Sequence, residues 1–181
     1  MRERYFSTFQ LILLALMAAL VVVAKIAIRT PLKLPGHSGI IWMAIVIVAA
    51  GIVRKPGAVS LVGLTSGLIA AFLGMGDFGA LNTFFSYTAV GIFTDLSLLL
   101  LGNTENLAAA TLAGAIGHTG KLLVKWAFGM LAGAPVGFVA FGLAPSIIGY
   151  VVFGAIGGLL GGLTLTALRR AGFFAYLEEK R

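Results

Sequence analysis

Six apolar runs, nearly devoid of charge within themselves, constrain the fold more than any other feature of the chain. They lie at roughly 8–28, 37–53, 56–73, 82–101, 107–132 and 145–168. A soluble core of 181 residues cannot hide so much apolar surface, because 60% of the residues are hydrophobic and only 10% are charged. Soluble domains carry about a quarter charged residues. The mean hydropathy of +1.06 agrees, so the solvent for these runs is lipid. The expectation is an all-α polytopic membrane protein, a single bundle of six transmembrane helices covering residues 1–181.

The connectors "RTPLKLPGHSG", "RKPG", "GMGDFGA", "GNTEN" and "GAPVGFVAFGLAP" are turn-rich and too short for another domain. Pro56 and Pro145 suit the first turn of a helix, where a missing N–H costs nothing. The opening "MRERYFSTFQLILLALMAALVVVAKIAI" is as long as a spanning helix and longer than a signal-peptide core, so it reads as the first span. There is no cysteine, hence no disulfide, thiolate nucleophile or Cys-based metal site, and neither a cofactor nor a metal centre is expected.

The net charge of +7 superficially suggests nucleic acid. The basic residues instead cluster at the ends of apolar runs, which is an orientation signal, and no nucleic-acid partner is expected. With the N-terminus inside, one side receives Arg2, Arg4, Arg54, Lys55, Arg169, Arg170, Lys180 and Arg181, and the other Lys25, Arg29 and Lys33. That bias predicts N-in and C-in. The outer trio breaks the rule and marks a place where function overrides topology.

Two soluble-enzyme motifs are present in outline only. Gly74, Gly76 and Gly79 of "GMGDFG" match G-x-G-x-x-G, but an apolar helix precedes them where a strand is required. A tight outer turn, with free N–H groups available to a ligand, fits them better. "AIGHTGKL" approaches the phosphate-loop pattern but has Ala115 for the first glycine and Leu122 for the final hydroxyl residue. An active transporter of this kind must draw its energy from another subunit. The chain also lacks paired acids and a Ser–His constellation, so an enzyme is not expected.

Small residues recur at four-residue steps: Gly154, Gly158 and Gly162, then Gly157 and Gly161, and in the first span Ala15 and Ala19. In lipid such steps let helices approach closely, within the bundle or against a partner.

Polar residues inside the spans carry the functional argument. Lys or Asp at mid-bilayer costs about 2.5–3.5 kcal/mol on insertion scales, so such groups face a cavity, a counter-charge or a ligand. His118, Lys121 and Lys125 share one face of the fifth span. Lys125 either joins a site or snorkels to the headgroups. Asp95 is the natural counter-charge for Lys121 or His118, as a structural ion pair or as part of a site. Tyr87 shares the Asp95 face, Asn82 stands at the outer mouth, and Tyr150 lies near the start of the sixth span. Lys33, His37 and Trp42 belong to the first connector and its exit. These groups converge on the outer half with cations in excess, which suits a small molecule bearing a carboxylate or another electron-rich group.

The six spans, the long first outer connector, Ala15 and Ala19, the "RKPGA" turn at 54–58 and the "GMGDFG" turn together resemble the substrate-binding S component of an energy-coupling factor (ECF) vitamin transporter. The hydroxymethylpyrimidine/thiamine-type members are the nearest in pattern. The resemblance implies high-affinity capture of a water-soluble vitamin or precursor at the extracellular side, among spans 4–6 and the odd-numbered connectors. It further implies that Ala15 and Ala19 dock on a transmembrane coupling protein, that two ATPases drive the cycle, and that the subunit sits in the prokaryotic plasma membrane. The competing expectation is a small oligomeric channel with His118, Lys121 and Lys125 lining its pore.

Overall fold

The computed structural model describes residues 5–27, 34–76, 78–102, 104–133 and 136–175. Among these it contains six α-helices: α1 (Thr8–Ala27), α2 (Gly39–Ile52), α3 (Ala58–Phe72), α4 (Gly79–Leu101), α5 (Leu107–Leu131) and α6 (Val136–Arg170). A segment surrounded by hydrocarbon must satisfy its own backbone, and the helix is the local way to do so. Among the described residues, α1, α4, α5 and the Pro145–Arg170 part of α6 are long and apolar enough to cross a membrane. The apolar helices α2 and α3 have 14 and 15 residues.

Local chemistry sets the helix starts. Ser7 and Gln10 form a capping box at α1: the Gln10 N–H donates to Ser7 Oγ and the Ser7 N–H to Gln10 Oε1. Asn106 caps α5 by accepting from the Ala108 and Ala109 N–H groups. At α3 the cap position is Gly57, in the left-handed region at φ +84° and with no side chain to offer. Asp95 supplies the missing oxygens from α4. Its carboxylate accepts from Ser60 N–H at 2.7 Å, Ser60 Oγ at 2.6 Å and Val59 N–H at 3.4 Å. A carboxylate there also complements the positive end of the helix dipole.

The short helix α2 lies innermost, touching α1, α3, α5 and α6. Its residues Met43, Val46 and Ile47 are almost fully buried. Helices α3, α4, α5 and α6 pack successively around it, and α1 leans on α2 and α3 from outside. Small residues set the closest approaches. A Cβ on Gly114 of α5 would lie 2.7 Å from the Gly158 Cα of α6, and Gly157 and Gly161 bring the same helix against α2 at Met43 and Ile47. The two glycine series of α6 therefore serve two neighbours. Side chains facing outward, such as Leu16 and Leu20 of α1 and Leu159 and Leu163 of α6, are exposed and apolar.

The start of α1, the end of α6, the α2–α3 turn and the α4–α5 turn gather at one end of the bundle, here the terminal end. Glu105 Oε1 bridges Arg54 at 2.9 Å and Arg169 at 3.0 Å. Both guanidinium groups stand over the Phe174 ring. Lys55 Nζ donates to the Tyr5 carbonyl, and Tyr5 OH donates to the Pro56 carbonyl. Arg54, Lys55, Arg169 and Arg170, expected on one side, thus share one end, whereas Arg2, Arg4, Arg29, Lys33, Lys180 and Arg181 lie outside the described residues.

Two expected helix starts differ. Pro56 stands in the turn before α3, because the left-handed Gly57 intervenes. Pro145 lies inside α6, which is already helical from Val136. An interior proline removes one hydrogen bond at a cost of about 3 kcal/mol. The helix nevertheless runs on through Pro145, so most of the expected fifth connector is helix.

Candidate substrate cavity

At the end opposite the termini the bundle opens into a cavity of about 510 Å³. Its walls are built from residues one helical turn apart, which share a face. Helix α4 contributes Asn82 with Ser86 and Thr83 with Tyr87; α5 contributes Lys121 with Lys125 and Leu122 with Trp126; α6 contributes Ser146 with Tyr150. Residues 34–38 and the α3–α4 turn complete the rim. Lys25, from the last turn of α1, lines the cavity and donates through Nζ to Ser38 Oγ at 3.1 Å.

The "GMGDFG" turn is the tight turn that its glycines suggest. Gly74, Gly76 and Gly79 all have positive φ. The Thr83 hydroxyl bonds the Met75 and Gly79 carbonyls, which pins the turn to α4 beside the cavity. The "AIGHTGKL" stretch lies in the middle of α5, where Gly117 and Gly120 give room to Thr94 and Phe93 of α4.

Behind the lining is an aromatic layer. Trp42 of α2 stacks on Tyr87 with ring centroids 5.6 Å apart and meets His118 edge-on at 5.3 Å. His118 lies 4.5 Å from the Tyr150 ring and donates through Nδ1–H to the Tyr150 carbonyl at 3.0 Å. Gly39 leaves the space that the imidazole fills, and Gly154 gives room to the His118 Cβ. Lys121 Nζ sits 5.0 Å from both the Trp42 and the Tyr87 ring centroids. Such a cation–π arrangement holds an ammonium without removing its charge.

Several polar atoms in this region find no protein partner among the described residues. Asn82 and Ser86, 3% and 1% exposed, lie in the cavity wall, yet Asn82 Nδ2 and Ser86 Oγ make no hydrogen bond there. Trp42 Nε1 is likewise buried and unbonded. Buried polar groups are normally paired, and each exception calls for a reason.

Of the residues singled out in the sequence, His37, Asn82, Tyr87, Lys121, Lys125 and Tyr150 line one cavity. Trp42 and His118, expected in the site, stand behind the lining as supports for Tyr87, Lys121 and Tyr150. Asp95 departs from its expected position beside Lys121. It lies six residues from the end of α4, about 9 Å along the axis, whereas Lys121 lies fourteen residues from the start of α5, about 21 Å. The two are thus at different depths, and Asp95 caps α3 instead. Lys33 lies outside the described residues. Ser86 and Trp126 were not singled out; each stands one turn beyond a polar or apolar lining residue, a spacing that could have revealed them.

A multi-helix apolar bundle with a polar, cation-rich and aromatic cavity defines a polytopic membrane protein with a small-solute site. The chain belongs to the family described as ABC-type cobalt transport system, permease component, whose family model matches residues 7–120. No curated protein and no solved structure matches it. It is therefore a membrane subunit of a transport system, multi-pass in the cell membrane, of a kind that works with separate ATP-hydrolysing subunits.

Proposed function

We propose that this subunit captures a small water-soluble organic molecule, a vitamin or vitamin precursor, in the cavity at the extracellular side. It hands the molecule on within a complex containing a transmembrane coupling protein and two ATPases. In this reading all six helices cross or nearly cross the bilayer, with both termini cytoplasmic. The gathering of Arg54, Lys55, Arg169 and Arg170 at the terminal end supports that orientation. The observation that carries the capture reading is the cavity wall itself: Lys121 and Lys125 of α5 line the same space as Asn82 and Ser86 of α4 and as Tyr87, Trp126 and Tyr150, in a volume suited to a small ligand.

The family's description names cobalt. Divalent transition metals are held by clusters of imidazole, thiolate or carboxylate. Among the described residues no three His, Cys, Asp or Glu side chains gather to hold an ion. Lys25, Lys121 and Lys125 in the cavity would oppose a dication. They also argue against a positively charged thiamine, so the likeness to thiamine-type members extends to architecture better than to cargo.

Helix α1 supports the docking part of the proposal. Ala15 is exposed and Ala19 half-exposed, and the exposed side chains of Leu11, Ile12, Leu16 and Leu20 flank them, so the small-residue step lies on a free flank of the bundle. What favours a receptor over a pore is the Trp42–His118 layer, which closes the space behind the lysines.

The test is thermal unfolding of the purified protein with water-soluble vitamins and precursors, with Co²⁺ as a separate arm. A ligand that binds the native state raises apparent stability by about 2.7 kcal/mol at a hundred times its Kd. Stabilisation by Co²⁺ alone would overturn the organic-substrate reading. Co-purification with a coupling subunit, lost in Ala19→Trp, tests the docking face.

A further inference from the structure

Of the four buried α4 groups unbonded among the described residues, Asn82 and Ser86 lie in the cavity wall, and with the lysines on α5 they narrow the cargo further than "a vitamin". Asn82 Nδ2 is a donor and demands an acceptor; Ser86 Oγ, one turn along, takes either role. Replacing water at such atoms is favourable only if the incoming group restores the bond. On α5, Lys121 and Lys125 present two ammonium groups, and Lys25 adds a third from α1. The chain has six acidic residues, Glu3, Asp77, Asp95, Glu105, Glu178 and Glu179. Asp95 and Glu105 are committed to the terminal end. In the sequence only Asp77 falls in a segment adjoining the cavity, so lysines outnumber carboxylates there even when it is counted. Tyr87 of α4, Trp126 of α5 and Tyr150 of α6 add aromatic side chains to the same lining.

Building on the capture reading, we propose that the cargo is a planar, ring-bearing organic anion. Its negative group is held on the lysine wall of α5, and a ring carbonyl or ring nitrogen accepts from Asn82 and Ser86 of α4. The aromatic surfaces stack on the ring. Lys121 couples the two functions, because its ammonium already rests over the ring of Tyr87, the α4 residue next to Ser86.

The probes are orotate, which carries both an anion and ring carbonyls, uracil, which lacks the anion, benzoate, which lacks the ring acceptors, and 1-methylpyridinium, a planar cation. Binding is measured by calorimetry and thermal shift on the full-length protein in detergent. Orotate is expected to bind at least about tenfold more tightly than uracil, the worth of one charge-assisted hydrogen bond, and about tenfold more tightly than benzoate, which leaves the Asn82 and Ser86 groups without an acceptor, and 1-methylpyridinium not at all. Lys121→Met should erase the margin of orotate over uracil, and Asn82→Leu its margin over benzoate. If Lys121→Met does not fold, Lys125→Met gives the same comparison from the cavity's outer edge. Uracil or 1-methylpyridinium binding as tightly as orotate overturns the proposal, as do margins that survive both substitutions. In those outcomes a neutral or cationic vitamin that stabilises the protein leaves the capture reading standing. If neither the probes nor any water-soluble vitamin binds, both readings fall.

Discussion

The two ends of the bundle treat their polar groups differently. At the terminal end, charge is spent on the protein itself. Asp95 caps α3, and Glu105 bridges Arg54 and Arg169; Arg169 leaves Nε and Nη2 unbonded among the described residues, but its guanidinium rests over Phe174. At the cavity end, lysines line a space of about 510 Å³ beside two buried groups that no described residue bonds. A membrane protein tolerates ionic residues in either way, as parts of its own architecture or as a surface waiting for a solute. What separates the cases is whether the charged groups stand beside a cavity.

Substitutions at the two ends should therefore separate stability from binding. The largest effect is expected for Asp95→Ala, which strips the α3 start of its acceptors. Loss of charge-assisted bonds of this kind costs about 2–3 kcal/mol, read as a lower unfolding midpoint with ligand affinity retained in the folded fraction. Lys121→Met should do the reverse, lowering affinity for an anionic ligand about tenfold to a hundredfold in calorimetry while costing less stability than Asp95→Ala. Asn82→Leu should weaken binding by about tenfold and leave stability nearly level, since the amide nitrogen it removes is buried and unbonded among the described residues. Glu105→Gln should be smallest, below about 1 kcal/mol in unfolding and without effect on binding, because its bridges are half-exposed. If Asp95→Ala abolished binding in protein that remains folded, the division between the ends would collapse.

The helices were legible because hydropathy and glycine spacing act locally. The expected 107–132 and the observed Leu107–Leu131 differ by one residue. Lys121 and Lys125 could be paired from their shared face, and Asn82 placed from its position at the outer mouth of its span. Asp95 could not be placed by the same reasoning. Its partner is the N-terminus of α3, and the need there arises from Gly57, which carries no capping side chain. A carboxylate in a span looks for positive charge, and backbone N–H groups at a helix start supply it without any basic residue to be read. His118 stands behind the lining for a related reason: its imidazole bonds a backbone carbonyl on α6 and fits against Gly39, and neither partner offers a recognisable side chain. The helical start of α6 at Val136 was hidden by Pro145.

The brevity of α3 has a consequence for the surrounding lipid. Its exposed stripe of Leu64, Leu68 and Phe72 belongs to a helix of 15 residues, about 22 Å long against a hydrocarbon layer of about 30 Å. The neighbouring α4 and α5, with 23 and 25 residues, exceed that thickness. With the bundle upright, acyl chains beside α3 must compress or headgroups must dip, while those beside α4 and α5 need not. In the six-span arrangement proposed above, the protein thus carries hydrophobic mismatch on the α3 flank, and thinner bilayers should favour it.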